Sequence, residues 1–430
     1  MTPSDEKSNL SRRRFLSSGL MAAAAAGLSA QAAPAPGAPT KESDDSASKT
    51  AIEPFWGEHQ GGIITPVQQH TYFAAFDLIA TDRDDVVRML QAWTAAAARM
   101  SLGQTAEPLG DDLSVPAADS GDALDLSPSR LTITFGFGAG LFIKDGQDRY
   151  GLAAKRPAAL VDLPKFTGDQ LVDARTGGDL SVQACADDPQ VAFHAIRQLA
   201  RLAYDVAQIR WVQTGFTSSN AKETPRNLMG FKDGTNNPSK NDPKLTNQYI
   251  WVGDEGPDWM RGGSYMVIRR IRIALEHWDR MNVAFQEQTV GRHKYSGAPL
   301  GGTNEFDKAD YDATDKDGNS VIPDNSHLRL AAAEKNDGTQ ILRRPFSYND
   351  GANFTAERWP PWHQDMEFDA GLLFLCYQRD PRTGFIKLFE KMSKFDMMNQ
   401  FVTHTGGGLF ACPGGMTEGG FIGEKLFAKT

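Results

Sequence analysis

Cysteine is scarce in this chain of 430 residues: Cys185, Cys376 and Cys412 are the only three, they lie far apart, and no C-x-x-C pair occurs. That leaves no basis for a disulfide framework or a cysteine-bound zinc, and apolar settings such as "LFLCYQ" mark the three as small buried side chains. H-E-x-x-H, C-x-x-C-H and G-x-S-x-G are missing too, which weakens the cases for a zinc hydrolase, a c-type cytochrome and an α/β-hydrolase. "TFGFGAG" has neither the Lys-Ser/Thr pair nor the strand-turn-helix setting of a phosphate loop, so close strand packing accounts for it better. "DATDKDGNSVIPD" (Asp312 to Asp324) lacks the leading ligand and the closing glutamate of a calcium loop. Positive charge is in deficit, with 45 Lys and Arg against 54 Asp and Glu and a net charge of -9. A nucleic-acid partner is therefore not expected.

Long apolar runs are also absent. The weakly apolar "SSGLMAAAAAGLSA" near the N-terminus is too short and too alanine-rich to span about 30 Å of hydrocarbon, so the chain is not read as membrane-spanning. It follows "SRRRFL" (Ser11 to Leu16) and ends at Ala30-Gln31-Ala32, an A-x-A site that points to cleavage after Ala32. The pattern resembles a twin-arginine export signal and predicts a periplasmic or other extracytoplasmic location. That route carries proteins already folded, often because a cofactor must be inserted first. Residues 33–52, mostly "APAPGAPTKESDDSASKT", read as a disordered tether.

What remains is long enough for two domains of somewhat under 200 residues each, with an ordinary 40% apolar and 23% charged content. "HTYFAAFDLIA" reads as a strand. Asp82, Asp84 and Asp85 then charge the first turn of a helix whose Val86, Leu90, Trp93, Ala97 and Met100 share one face. "LTITFGFGAGLF" and "DLSVQACA" are strand-like, Asp188-Pro189 starts a second helix, and "QIRWVQTGF" closes a β-α-β-β-α-β order. That is the ferredoxin-like motif. The second half gives a rougher copy: "SYMVIRRIRIAL" as strand, "EHWDRMNVAFQEQT" as helix, "GLLFLCYQ" as strand and "IKLFEKMSKFDMMNQFVTH" as a final helix. A long irregular insert from about Gly291 to Asp369 interrupts it. The expected fold is α+β, two ferredoxin-like domains with antiparallel sheets, residues 53–222 and 223–430, any large ligand being held mainly by the second.

Among eight histidines, His194 falls within a helix and His404 precedes Gly406-Gly407-Gly408, where a cation suits a helix C-terminus. His327, in "DNSHLRLAAA", stands at the exit of the insert and the entrance to an apolar stretch. From spacing alone a lone histidine is ordinarily a satisfied polar group, with metal ligation as the second reading. Arg343 follows Ile341-Leu342 in "ILRRPFSYND"; it points into a pocket or makes a surface ion pair, and position does not decide which. Asp233, in "GFKDGTNNP", has a strong account as turn chemistry beside its catalytic one.

Taken together these stretches resemble the dye-decolorizing peroxidase family. "EPFWGEHQGGIITP", "LTITFGFGAGLF", "QACADDPQVAFHAIRQL", "TPRNLMGFKDGTNNP", "GRHKYSGAPLGG", "SHLRLAAA", "ILRRPFSY" and "GLLFLCYQRDP" follow in the family's order from Glu53 to the C-terminus, and Gly230 to Gly234 fit its G-x-x-D-G motif. With the export signal, the resemblance is to the deferrochelatase/peroxidase subgroup of ferrous-iron uptake systems. It implies one haem b per chain, held mainly by the C-terminal domain, with His327 as the iron's proximal ligand. Asp233 and Arg343 would lie on the distal face, and Gly234, Thr235 and Asn236 would approach the haem, the glycine letting the main chain come close. Asp380 in "YQRDP" is the expected hydrogen-bond partner of His327, strengthening imidazole donation. Arg344 would contact the haem edge or solvent.

The implied activity is reduction of hydrogen peroxide through a ferryl haem and oxidation of dyes, phenolic compounds or ferrous iron as one-electron donors. Release of iron from haem with the porphyrin intact, and non-enzymatic haem carriage, are the alternatives. Other components of an iron-uptake system are implied partners, and a homodimer is compatible with the resemblance. An aspartate, with a reference pKa of about 3.9, would act as the proton-transfer group and favour acidic conditions. Tyr348, Trp359 and Trp362 are candidate exposed aromatics for electron transfer, packing being the plainer role. The chain departs from some subgroup members at Ala332-Ala333-Glu334, where they place Asn-Pro-Arg, and at Pro345, where a glycine is frequent.

Overall fold

Strand β1 (His70–Leu78) runs into helix α1 (Arg83–Ser101), capped by the Asp82 side chain accepting from the Asp84 N–H. Val86, Leu90, Trp93, Ala97 and Met100 all lie on its buried face, as the spacing predicts. After β2 (Thr132–Phe137) and β3 (Leu180–Ala186), Asp188 caps α2 (Pro189–Leu202) through the N–H groups of Gln190 and Val191, with Pro189 opening the helix. β4 (Ala207–Phe216) completes four antiparallel strands in the order β2-β3-β1-β4. This computed structural model describes residues 51–218, 223–356 and 364–428. The twin-arginine segment, the Ala30-Gln31-Ala32 site and most of the tether lie outside the described residues, as do Trp359 and Trp362.

The second half contains α3 (Pro243–Tyr249), β5 (Ser264–Ile273), α4 (Leu275–Trp278), α5 (Val283–Val290), α6 (His327–Ala331), β6 (Leu342–Arg343), β7 (Phe346–Ala356), β8 (Gln364–Gln378), α7 (Lys387–Phe395), β9 (Val402–Cys412) and α8 (Glu424–Phe427). Its long strands pair antiparallel in the order β9-β5-β8-β7, and β6 adds a short pairing to β8. Counted along the chain, the four long strands of each half take the same sequence of positions. Single pairings, Phe137 with Ala411 and Phe216 with Ser347, join the two sets into one sheet of nine strands.

Both faces of β1 are covered, which is why it reads as a nearly continuous apolar run. Ala74, Phe76 and Leu78 pack with α1 and α2, whereas Phe73 and Ala75 join Met266, Ile268, Leu373, Leu375 and Phe410 in a cluster shared by the two sets of strands. Fully buried aromatics such as Phe73 and Phe76 each contribute about 1.5–3 kcal/mol. Cys185, Cys376 and Cys412 are free and buried, as expected.

The structure departs from the sequence reading in several places. The expected helix over "EHWDRMNVAFQEQT" is broken, because the Asn282 side chain accepts from the Phe285 N–H and starts α5 afresh. The expected final helix stops at Asp396, which caps the one-turn 3-10 helix Met397–Gln400, and β9 follows. His404 therefore sits in a strand rather than at a helix end; Gly407, at φ +151°, lets β9 lie so close to β5 that a Cβ would meet the Ile268 carbonyl at 2.2 Å. The supposedly irregular insert holds α6, β6 and β7. Tyr348 is fully buried beneath the Arg270 guanidinium, 4.3 Å from its ring centroid, and is not an exposed aromatic.

Arg344 is also fully buried, donating to the Thr65 carbonyl and the Gln68 side chain, so it meets neither solvent nor the site described below. The mostly buried Lys240 reaches the same Thr65 carbonyl at 3.4 Å. Burial, and then the charge of Arg344, bring its pKa from 10.5 to about 7. Below about 7 both folded and unfolded chains hold the proton, and the folded state bears the full cost of burying the charge. Between there and 10.5 only the unfolded chain holds it, so stability rises with pH, by at most about 1.4 kcal/mol per unit. Lys240→Met is expected to raise the melting temperature at about pH 6, with the gain shrinking toward about pH 10. A gain that is absent or independent of pH in thermal melts would contradict a buried, uncompensated ammonium.

Candidate functional site

The segment "GFKDGTNNP" forms a loop held at both ends. The Asp233 N–H donates to the Pro225 carbonyl, Gly234 takes φ +117°, and the Asn237 N–H closes a turn on the Gly234 carbonyl at 3.1 Å. Only glycine adopts that φ without strain. The turn reading of this loop is thus correct, and it does not compete with a functional one: the turn aims the carboxylate. Asp233 Oδ1 accepts from Arg343 Nη1 at 2.9 Å, and no hydrogen bond to Oδ2 is made among the described residues. The two side chains keep 14% and 26% of their surface open, enough for a small molecule to reach them.

Strand alternation decides between the paired arginines. Arg344 uses its N–H on the Leu375 carbonyl of β8 and sends its side chain to Thr65 and Gln68. Arg343 faces the other way, to Asp233. Its main chain is held from outside the sheet by Asn237, whose Nδ2 donates to the Arg343 carbonyl at 2.7 Å and whose Oδ1 accepts from the Arg343 N–H at 3.0 Å.

His327 is the first residue of α6. Its Nδ1 lies 2.6 Å from Asp396 Oδ2, on a carboxylate that is 4% exposed and whose Oδ1 accepts from the Met398 N–H. A carboxylate can only accept, so Nδ1 carries the hydrogen and Nε2 of the neutral ring keeps its lone pair. Burial pushes the imidazole pKa down, but the charge and hydrogen bond of Asp396 push it up further, and the net shift is upward. Arg343 and Asp233 act on the same imidazole with opposite signs. The expected partner, Asp380, is engaged elsewhere: it caps the turn after β8 and pairs with Arg382, two residues on. Asp380 was expected only from the family resemblance, whereas Asp396 could have been found as the capping residue after the apolar stripe of α7.

All three side chains line one cavity of about 650 Å³. Its apolar wall includes Ile271, Leu372, Phe374 and Phe389, and Gly234, Thr235 and Asn236 lie on its polar side. Thr235 is turned to Glu305 at 3.0 Å, and Asn236 accepts from the buried Arg292 at 3.2 Å. Glu334, one of the departures noted in the sequence, also borders the cavity. Arg292, Asn237 and Asp396 escaped the sequence reading, since nothing in their local spacing links them to residues 56 to 106 positions away. The arrangement offers a fixed imidazole lone pair, an apolar bed, and an acid and guanidinium in contact.

Comparison with known proteins agrees with this geometry. Profiles of the Dyp-type peroxidase N-terminal and C-terminal domains match residues 60–217 and 224–417. A deferrochelatase of Escherichia coli strain 536 is 36% identical over 428 residues, 97% of this chain and 96% of that protein. The dye-decolorizing peroxidase of Thermobifida fusca is 36% identical over 451 residues, 99% of each chain. The solved oxyferrous complex of DtpA from Streptomyces lividans is 40% identical and superposes with a TM-score of 0.80, covering 89% of this chain and 99% of that one. On sequence match along nearly its whole length and on fold, this chain belongs to the Dyp-type peroxidase family.

Proposed function

We propose that this protein is an exported peroxidase that binds one haem b and reduces hydrogen peroxide at the expense of dyes, phenolic compounds or ferrous iron. The observation that carries the reading is the meeting, in one cavity, of a carboxylate-held imidazole with the Asp233–Arg343 pair. The residues fit the group. A volume of about 650 Å³ lies within the range of cofactor sites, the walls are largely apolar, and Nε2 of His327 is free to ligate. His327 would hold the iron, Gly234, Thr235 and Asn236 would border the ring, and most contacts would come from the C-terminal unit. The repeated strand order supports two ferredoxin-like units, residues 53–222 and 223–430, behind a signal peptide and tether.

Bound haem supplies the iron that takes up peroxide and stores its oxidising equivalents. The protein's part is proton handling. One peroxide oxygen has to lose a proton and the other has to leave protonated. Asp233, which lines the cavity and engages Arg343 through Oδ1, takes the first proton and returns it to the departing oxygen as water forms. Arg343, 2.9 Å from the carboxylate, stabilises the charge that grows on that oxygen, contributing about 2.7–4 kcal/mol on the scale of an oxyanion-hole donor. Asp396 fixes the tautomer and orientation of His327. The deferrochelatase name of the Escherichia coli relative favours a second reading, removal of iron from haem with the porphyrin intact. Iron-free porphyrin fluorescence after incubation with haem separates it from peroxide turnover.

Asp233→Asn and Arg343→Leu are each expected to slow the reaction with peroxide about 100-fold or more while haem content is retained. Stopped-flow absorption checks this, and wild-type rates in both variants would remove the pair from the mechanism. His327→Ala should lose the Soret band of the purified protein, and a normal band would place the iron on another residue. Asp396→Asn removes a negative charge from beside the ligand, so the haem reduction potential should rise. An unchanged potential in a spectroelectrochemical titration would mean that Asp396 does not act on the iron.

A further inference from the structure

β6 is only two residues long and pairs with β8 along one side alone. The opposite edge of Arg343 would present an unpaired N–H and C=O, and at this position both are taken by a single side chain, Asn237. A carboxamide carries a donor and an acceptor at nearly the spacing of a peptide group, so it completes the strand edge as a neighbouring strand would. Both hydrogen bonds are only part-buried, so water could satisfy the two groups without a side-chain partner. What the contact adds is a tie between two segments more than a hundred residues apart.

The tie closes a ring. Asp233 and Asn237 stand on one loop, with the Gly234–Asn237 turn between them. Asn237 grips the main chain of Arg343, and the Arg343 guanidinium returns to Asp233 at 2.9 Å. Without the grip, the position of Arg343 relative to Asp233 would rest on a two-residue strand and the ion pair alone. We propose that Asn237, itself on the cavity wall, is the positioning residue of the distal pair: its carboxamide is taken up by the Arg343 main chain, and it sets where the Arg343 guanidinium stands relative to the Asp233 carboxylate. This rests on the peroxidase reading of that pair. A misplacement of about 1 Å at a reacting centre costs up to about 100-fold in rate, so the effect expected on peroxide chemistry far exceeds that on fold.

A double-mutant cycle on the haem-loaded protein tests it, with wild type, Asn237→Ala, Arg343→Leu and the double variant mixed with one equivalent of peroxide. Asn237→Ala should slow the reaction about 10- to 100-fold with haem content and Soret band kept, and should cost less than about twofold once Arg343 is Leu. Fluoride affinity of the ferric protein gives a reading without turnover. It should weaken about tenfold in Asn237→Ala and in Arg343→Leu, with no further loss in the double variant. Equal slowing by Asn237→Ala in both backgrounds, or none in either, overturns the positioning role while leaving the pair in place. A wild-type rate in Arg343→Leu overturns the peroxidase reading of the pair, and the proposal with it. Should Asn237→Ala fail to fold, Asn237→Leu carries the same cycle, since it nearly keeps the volume, adds no charge and loses both the donor and the acceptor.

Discussion

The hydrogen bond between His327 Nδ1 and Asp396, 2.6 Å long, determines which ring nitrogen turns to the cavity, and the site is organised around that choice. A histidine with both nitrogens satisfied by protein would be a core residue, and one with neither fixed would present a mixture of tautomers. Here the carboxylate is nearly inaccessible to water and is itself held by the Met398 N–H, so it cannot turn away. One lone pair then faces a largely apolar space large enough for a macrocycle. The contacting pair of Asp233 and Arg343 lines the same cavity as that imidazole.

The fold supplies that cavity through the second set of strands and the segments attached to it. β6 carries Arg343, β8 supplies Leu372 and Phe374, α6 begins with His327, and the turn after α7 brings Asp396. The first set of strands supplies no residue to the cavity wall; it packs against the second through Phe73, Ala75 and Trp211. One strand order, repeated, thus lines the cavity in one copy and backs it in the other.

Buried cations are handled in two ways. Arg269 meets Asp169, and Arg270 meets Asp350 and Asp369, so those charges are compensated by acids. Arg292 and Arg344 are instead surrounded by carbonyl and carboxamide oxygens. Such oxygens solvate a guanidinium without cancelling its charge. Burial lowers the pKa of Arg292 at the cavity wall and of Lys240 beside Arg344, and that of Arg269 in spite of Asp169, whereas Arg270 with its acids is raised.

The sequence by itself determined the first β-α-β-β-α-β unit, because strand alternation, helical spacing and the caps at Asp82 and Asp188 are local signals. It also determined the glycine at 234, where a positive φ is a property of the backbone, and, through the family resemblance, singled out His327, Asp233 and Arg343. Only the tertiary structure decided that Asp396 rather than Asp380 holds the imidazole, that Arg344 turns to Thr65 and Gln68, and that Asn237 grips the Arg343 main chain. Each of those choices is made by contacts between segments far apart in the chain. A carboxylate's partner is set by which backbone comes within about 3 Å of it, and no spacing in the sequence encodes that distance.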